Sequence, residues 1–223
     1  SWRRAPEPGR GEGAVTASPD GAPRRASPAF ARNIGPITEA LRPHVAQARG
    51  LAVEIGCGPG EHAVALARAF PGLDWLPTDP DRDALAAAAA RRAEAGANLR
   101  APRRADAAGD WLATLDLEPG AAVLALAINV IHIAPWRVAE GLVAGAARVL
   151  RAGGVLALYG PFFEDDREPA PSNRAFDRSL RARDPAWGVR ELGDVEALAR
   201  EAGFGPVSVA RLPANNLLAA WRR

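Results

Sequence analysis

Short apolar runs alternate with segments of helical periodicity along most of this chain. The apolar runs have the length of strands and lack the polar alternation of a half-exposed sheet, which favours strands buried on both faces of a parallel sheet. The predicted strands are Leu51–Ile55, Leu73–Asp79, Leu99–Ala105, Ala121–Ile131 and Val155–Tyr159. The predicted helices are Ile34–Val45 (interrupted by Pro36 and Pro43), Glu61–Arg68, Asp81 to about Ala95, Pro135 to about Leu150, Pro171 to about Asp184, with Ser172 as its N-cap, and Asp194–Ala202.

The chain ends in two further predicted strands, Pro206–Leu212 and Leu217–Trp221, and the residues between them have hairpin composition. The whole pattern predicts an α/β fold: a doubly wound, Rossmann-like sheet, mostly parallel, with a C-terminal antiparallel hairpin. Residues 1–27 lack apolar periodicity, and we expect a mobile tail there. Residues 28–223 are then a single domain, within which 160–193 is an insertion on the substrate side.

Composition excludes several classes of protein. The 223 residues are 48% hydrophobic, enough for a sizeable core, yet no apolar run approaches the ~18 residues of a membrane span. The chain does not begin with the pattern of a signal peptide. All 28 basic residues are Arg, the net charge is only +2, and outside the tail the arginines are spread out, so we expect no nucleic-acid partner.

Cysteine and histidine are scarce. The single cysteine, Cys57, excludes an intramolecular disulfide and fits a reducing cytoplasm, which is the predicted location. With only three histidines and one cysteine, we expect no metal site. The oligomeric state is not readable from the sequence.

Three glycines, Gly56, Gly58 and Gly60, separate the first strand from the next helix. Such a turn lets backbone N–H groups approach a ligand closely. A dinucleotide-binding fingerprint would need glycine at position 61, where this chain has Glu61. The spacing E-x-G-x-G-x-G from Glu54 is instead the first motif of Rossmann-like S-adenosylmethionine-dependent methyltransferases. The alternative is a glycine turn needed only for tight packing.

Two carboxylates follow the next strands. Asp79 closes the second strand, where a carboxylate can accept hydrogen bonds from the ribose hydroxyls of a nucleoside. It could also cap the following helix, and the two roles are compatible. Asp106, after the third strand, is a candidate acceptor for the adenine amino group, with the N–H of Ala107 near a ring nitrogen; the alternative is a turn aspartate.

Polar groups also close the fourth strand. Asn129 follows a very apolar run and is expensive to bury without partners, which suggests contact with the cofactor or the substrate. His132 is a candidate general base because the unperturbed pKa of histidine is near 6.5, although a lone histidine is often structural. Tyr159, the only tyrosine, is the second candidate catalytic residue.

Aromatic and amide groups follow the fifth strand. They can wall a small-ligand pocket, or the aromatic ones can simply pack an inserted helix over the sheet. The predicted substrate-binding residues are Asn129, His132, Tyr159, Phe162, Asn173 and Trp187. The predicted cofactor-binding residues are Asn33, Glu54, Gly56, Cys57, Gly58, Gly60, His62, Asp79, Pro80, Asp106, Ala107 and Asn129.

From about residue 27 to residue 222 the chain resembles a family of small methyltransferase-like proteins catalogued as a domain of unknown function, which includes the methyltransferase-like 26 group. The resemblance implies the class I methyltransferase fold and S-adenosylmethionine binding, and it makes Asn33 a candidate cofactor contact. The matching segments are Ser27-Pro28, Arg32-Asn33, Glu54–Gly56, Gly60–His62, Asp79–Asp81, Asn129–Ile133, Pro135-Trp136, Tyr159–Phe162, Ser172-Asn173, Phe176-Asp177, Asp184-Pro185, Trp187-Gly188, Pro213 and Asn215-Asn216.

The function predicted from these observations is S-adenosylmethionine-dependent methyl transfer to an oxygen, nitrogen or sulfur atom of a small molecule, with S-adenosylhomocysteine as product. The main alternative is a methyltransferase-like protein that binds the cofactor without transferring its methyl group, as a sensor or partner subunit. A nicotinamide oxidoreductase is disfavoured by Glu61. Methylation of protein or nucleic acid lacks the signal of a basic groove.

Overall fold

The computed structural model describes residues 27–223, so the predicted tail lies outside the described residues except for Ser27. The helices within this range are α1 Pro28–Val45, α2 Glu61–Ala69, α3 Arg82–Ala90, α4 Trp111–Leu115, α5 Trp136–Val149, α6 Pro171–Arg183 and α7 Leu192–Glu201. The strands are β1 Gly50–Ile55, β2 Leu73–Asp79, β3 Arg103–Arg104, β4 Ala122–Ile128, β5 Leu150–Phe163, β6 Arg190–Glu191, β7 Ser208–Leu212 and β8 Asn216–Arg222.

The main path of the sheet runs β3-β2-β1-β4-β5-β8-β7, with β6 paired to the end of β5. Strands β1 to β5 pair in parallel, whereas β8 is antiparallel to both β5 and β7. The predicted fold class is thereby confirmed. Strand order reverses between β1 and β4, and open α/β sheets bind ligands beyond the carboxyl ends of the strands at such a point. Ile55 at the end of β1 is in register with Thr78 of β2 and Ala127 of β4, which aligns these ends.

Helix α1 is longer than predicted. It begins at Pro28, and the hydroxyl of Ser27 accepts a hydrogen bond from the Phe30 N–H as an N-cap. Both predicted interruptions, Pro36 and Pro43, lie inside the helix. Each proline removes one backbone donor, but the apolar face of α1 packs on the sheet, and this tertiary burial outweighs the loss.

Other boundaries also differ from prediction. The segment predicted as a strand at 99–105 forms only β3 and an isolated bridge between Leu99 and Trp75. Strand β4 ends at Ile128 because Asn129 adopts a left-handed conformation with φ 55°, and a 3-10 turn over Ile131–Ile133 follows. Strand β5, predicted as Val155–Tyr159, begins earlier, at Leu150, and extends to Phe163.

The predictions for two helices need further correction, and two short elements were not predicted. Helix α3 stops at Ala90 and gives way to a 3-10 turn before residue 95. In α6, Ala170 is the N-cap and Pro171 is the first residue, so Ser172 lies inside the helix. The short elements are α4 and β6.

Two apolar layers cover the sheet. Helices α1 and α2 pack on one face, and α4, α5 and α7 pack on the other. In the second layer Trp111 lies so close to α5 that a Cβ at Gly145 would be 2.0 Å from its indole nitrogen, which itself donates to the carbonyl of Gly141 at 3.1 Å. Of the helices formed by residues 27–223, none combines the length and apolar character that crossing a membrane requires.

Candidate functional site

The loop between β1 and α2 is shaped by its three glycines. Gly56, Gly58 and Gly60 have φ angles of 70°, 56° and 81°, a region that glycine adopts without strain. A Cβ at Gly56 would lie 2.7 Å from the Val130 side chain, and one at Gly60 would lie 2.9 Å from Cβ of Ala88. Tight packing therefore requires glycine at positions 56 and 60, whatever else these residues do.

The carboxylate of Asp79 is hydrogen-bonded to the backbone of this loop. Its Oδ2 accepts a hydrogen bond from the Gly58 N–H and its Oδ1 accepts one from the Asp81 N–H, both at 2.9 Å. Asp81, not Asp79, caps α3, because its side chain accepts from the Asp83 N–H at 2.8 Å. Asp79 is buried but borders a cavity, so the same residue supports the loop and forms part of the cavity wall.

That cavity, which we call the glycine-loop cavity, has a volume of about 420 Å³. Five carboxylates border it, those of Glu54, Glu61, Asp79, Asp81 and Asp83. Such a wall favours a ligand with positive charge and hydroxyl donors. The remaining lining residues are Ser27, Ala29, Phe30, Asn33, Gly56, Cys57, Gly58, Pro59, His62, Ala84, Ile128, Asn129 and Ile133.

Helix α1 is tied to this cavity through Glu61. The backbone N–H and the hydroxyl of Ser27 donate to the two carboxylate oxygens of Glu61 at 2.8 and 2.9 Å. The guanidinium of Arg91 lies 3.7 Å from the same carboxylate. These contacts set the start of α1 beside the start of α2, so that Phe30 and Asn33 reach the cavity.

A second cavity, of about 320 Å³, adjoins the first. We call it the asparagine cavity because Asn33, Asn129, Asn173 and Asn216 border it. Its other lining residues are Ala29, Arg32, Tyr159, Pro161, Ser172, Phe176, Pro213 and Ala214. Ala29, Asn33 and Asn129 border both cavities, so the two spaces meet at these residues.

Asn33 is the centre of a polar network at this junction. Its Oδ1 lies 3.0 Å from Nε2 of His62, whose ring packs edge-on against Phe30. Tyr159, Asn33 and Asn216 border the same cavity. Burial raises the pKa of Tyr159, and the two amides oppose that shift, so the phenol is protonated at neutral pH.

Asn129 reaches the junction from the sheet. Its left-handed conformation turns the chain out of β4, and its backbone N–H donates to the carbonyl of Tyr159 at 2.8 Å. Asparagine tolerates this conformation better than most residues, and such conformations are frequent at functional sites. The structure thus brings together the predicted residues Asn33, Asn129 and Tyr159, which sit on α1, after β4 and on β5.

His132 lies elsewhere. Only 1% of it is exposed, it is not among the described residues that line either cavity, and neither ring nitrogen has a hydrogen-bond partner within residues 27–223. Its ring packs edge-on against Phe162 at 4.9 Å. Burial first, and the Arg190 cation second, lower the pKa of His132 to about 3. The ring of His132 is therefore part of the core beside the site, and its contact with substrate and its role as a base stay predictions.

The turn that carries His132 is held by Arg190. The Nε of Arg190 donates to the Ile131 carbonyl at 3.0 Å, and its Nη2 donates to the Ala134 carbonyl at 2.6 Å. The carbonyl of His132 accepts from the Gly188 N–H at 2.9 Å. These hydrogen bonds join the turn that follows Asn129 to the segment at Gly188 and Arg190, which is far away in sequence.

Several other predicted residues border neither cavity in the described structure. Phe162 and Trp187 are buried, the first against His132 and the second under the guanidinium of Arg183. Phe162 borders only the third cavity described below, and the contact of both residues with substrate stays a prediction. Asp106 closes a turn by accepting from the Ala108 N–H at 3.0 Å, which is the alternative considered for it. Gly60, Pro80 and Ala107 lie outside the described lining as well.

Sequence reasoning missed part of the first cavity. Ser27 and Phe30 were not predicted to border it because α1 was expected to start later. The signal was present, since serine followed by proline marks a helix N-cap and first turn. Asp81 and Asp83 were missed for a different reason, because only the strand end was considered.

A third cavity, of about 600 Å³, lies beyond the asparagine cavity. It shares Asn173 and Asn216 with that cavity, and its wall includes five charged residues, among them the ion pair between Glu164 and Arg211. No described residue of the glycine loop borders it. Its size therefore does not make it the candidate site.

A family model described as "Protein of unknown function (DUF938)" matches residues 24–223 of this chain. Several methyltransferases are among the solved structures to which this chain is similar. Human N-acetylserotonin methyltransferase, solved with S-adenosylmethionine, is 17% identical, with a TM-score of 0.69 over 87% of this chain and 52% of that protein. An O-methyltransferase family protein from Burkholderia thailandensis is 18% identical, with a TM-score of 0.72 over 87% of this chain and 57% of that protein.

The S-adenosylmethionine-dependent methyltransferase SibL, solved without ligand, is 25% identical, with a TM-score of 0.63 over 87% of this chain and 57% of that protein. The chain thus spans little more than half the length of each of these three proteins. The likeness shows that the fold is the Rossmann-like methyltransferase fold.

Proposed function

We propose that this chain, which belongs to the family described as "Protein of unknown function (DUF938)", is an S-adenosylmethionine-dependent methyltransferase that acts on a small molecule. The observation that carries the proposal is the meeting of two cavities at Asn33 and Asn129. One cavity has the glycine loop and acidic wall suited to the cofactor. The other offers a separate polar space for an acceptor directly beside it.

The residues of the glycine-loop cavity fit this cofactor. S-adenosylmethionine carries a sulfonium and an ammonium. The carboxylates of the cavity wall complement both charges, although that of Glu61 is already paired with Arg91. Asp79 would hold the ribose hydroxyls, and Glu54 with the loop backbone at Gly56 and Gly58 would hold the amino-acid part. When bound, S-adenosylmethionine supplies an electrophilic methyl group.

The chain's own contribution is positioning. Asn33 and Asn129 border both cavities and would place the acceptor atom against the cofactor, which is the main source of rate in such a transfer. Residues of the predicted insertion 160–193 form one wall of the acceptor space through Pro161, Ser172 and Phe176. We assign to that segment the selection of the acceptor.

The open acceptor space favours a transferase over a protein that only binds the cofactor. Position 61, where a dinucleotide site would need glycine, is a glutamate whose two carboxylate oxygens accept from Ser27, and this disfavours a nicotinamide enzyme. The narrower likeness to the methyltransferase-like 26 group and the cytoplasmic location stay predictions.

The first test is calorimetric titration of the folded protein with S-adenosylmethionine and with S-adenosylhomocysteine. We expect a Kd below ~100 μM, which corresponds to roughly −5.5 kcal/mol. Absence of binding by both ligands would reject the proposal. NADH, titrated in the same way, should not bind.

A second test separates transfer from binding alone. Protein that binds the cofactor is incubated with labelled S-adenosylmethionine and a panel of thiols, phenols, amines and carboxylates. We expect label in at least one acceptor. Cofactor binding without labelled product across the panel would favour a sensor or partner subunit instead.

A further inference from the structure

We infer that the methyl acceptor is a small anion whose nucleophilic atom is already ionised at neutral pH, and that Tyr159 and Arg32 bind its negative charge. The inference rests on the proposed function and names the substrate class of the asparagine cavity. The acceptor's lone pair forms the new bond to carbon, the electrons of the carbon–sulfur bond stay on sulfur, and no proton has to leave. An ionised acceptor therefore needs no general base.

The wall of the cavity is rich in hydrogen-bond donors. Side-chain amides come from α1, from the end of β4, from α6 and from β8, and the hydroxyl of Ser172 joins them. Among the described lining residues there is no aspartate, glutamate, histidine or cysteine, and Arg32 is the charged one. A wall of this kind matches an anion and offers no described group that would take a proton at neutral pH.

Tyr159 borders the asparagine cavity as a donor. Oδ1 of Asn33 is engaged with Nε2 of His62 at 3.0 Å, which leaves the Asn33 amide N–H groups as donors. Nδ2 of Asn216 donates to the Pro213 carbonyl at 3.2 Å and keeps a second hydrogen. Burial raises the pKa of Tyr159, so the phenol keeps its proton at neutral pH and can donate it in a hydrogen bond to an anion in the cavity.

The position of the acidic groups agrees with this. The five carboxylates of the site border the glycine-loop cavity, on the far side of Asn33 and Asn129, and His62 stands beyond Asn33. The third cavity is bordered by Glu164, Asp166 and Glu168. Glu164 accepts two hydrogen bonds from Arg211, each of 2.9 Å, and Glu168 is paired with Arg174. An anion in the asparagine cavity thus meets the Arg32 cation and the Tyr159 proton before it meets a described carboxylate.

The test uses para-nitrophenol, which changes its absorption on ionisation, with protein saturated by S-adenosylhomocysteine. We expect binding to favour the nitrophenolate, so that its absorbance at a fixed pH near neutrality rises when protein is added. The uncharged analogue para-nitroanisole should bind at least ~10-fold more weakly, the loss of about 1.4 kcal/mol or more. No methyl transfer is needed for this measurement.

Variants locate the effect. Tyr159→Phe and Arg32→Gln should each weaken nitrophenolate binding, the first by roughly 10-fold, as loss of one hydrogen bond to a charged group requires. Arg42→Gln is the matched control, an exposed arginine on the same helix that borders neither the glycine-loop nor the asparagine cavity, and it should change nothing.

Several results would overturn the inference. They are equal binding of para-nitroanisole, a shift toward neutral para-nitrophenol, no binding of the probe, or an intact shift in Tyr159→Phe. Each is read in protein whose binding of S-adenosylhomocysteine has been measured. Failure of that cofactor titration would instead reject the proposed function.

Discussion

The indole nitrogen of Trp75 donates a 2.7 Å hydrogen bond to Oε2 of Glu54, and both residues are buried. The bond crosses between β2 and β1, since Trp75 pairs with Ala52 and Glu54 lies two residues further along β1. A carboxylate is costly to bury unless hydrogen-bond donors surround it. The indole N–H of Trp75 therefore helps to offset the cost of burying Glu54, the first residue of the glycine motif. The tryptophan of a core strand thereby supports the site.

We expect Trp75→Phe to lower the free energy of unfolding by about 1–3 kcal/mol, because Glu54 then lacks a buried donor. Urea denaturation measures the change. Glu54→Gln keeps an acceptor for the indole and should lose less, and the double variant should show that the two changes are not additive. A loss below about 0.5 kcal/mol for Trp75→Phe would mean that water replaces the indole.

Asp79→Ala should weaken binding of S-adenosylhomocysteine by about 1–3 kcal/mol, since the variant loses the hydrogen bonds of a carboxylate. The substitution also removes the hydrogen bond from the Gly58 N–H to Oδ2 of Asp79, which helps to hold the glycine loop in place. Asp74→Ala is the matched control, because Asp74 is on the same strand but is paired with Arg100 away from the site. Calorimetry on folded protein decides: unchanged affinity in Asp79→Ala would remove this residue from the cofactor site.

Gly160→Ala should destabilise the protein by about 1–3 kcal/mol through overpacking. The new Cβ would lie 2.4 Å from Nε2 of His132 and 3.1 Å from Oδ1 of Asn129. Adding His132→Ala should restore part of the loss, because it removes the nearer contact. Gly35→Ala in α1 is the control, since nothing lies within 4 Å of its added Cβ. Equal thermal stability of the Gly160 variant and the wild type would show that the ring moves aside freely.

The pH dependence of stability should carry the signature of His132. Its pKa in the folded protein is about 3, below the 6.5 of the unfolded chain. The unfolded state therefore binds the extra proton as the pH falls below about 6.5, and stability is lost from there downward, by ~1.4 kcal/mol per pH unit, until the folded pKa is reached. Above about pH 7 the residue should contribute no pH dependence.

His132→Leu removes this titration while keeping the site apolar. Unfolding by urea at a series of pH values between neutrality and pH ~5 should give a shallower decline for the variant than for the wild type. His44→Gln, at a partly buried histidine outside the site whose pKa burial also lowers, should change the slope less. Identical slopes for wild type and His132→Leu would contradict the buried, neutral state of His132.

The sequence by itself determined the fold class and the position of the glycine loop. Leu73–Asp79 was predicted with the bounds that β2 has, because a buried strand ending in a carboxylate is a local pattern. Gly56, Gly58 and Gly60 marked the loop because positive φ angles select for glycine. The antiparallel end of the sheet followed from turn residues between two apolar runs.

Only the tertiary structure decided which polar residues share a cavity. Asn33, Asn129 and Tyr159 come together from α1, the end of β4 and β5, whereas His132, three residues after Asn129, turns into the core. Sequence spacing cannot tell these apart, since a left-handed residue and a short 3-10 turn redirect the chain between them. Burial and cavity shape arise from packing between segments that are distant in sequence. The local pattern of apolar and polar residues does not predict that packing.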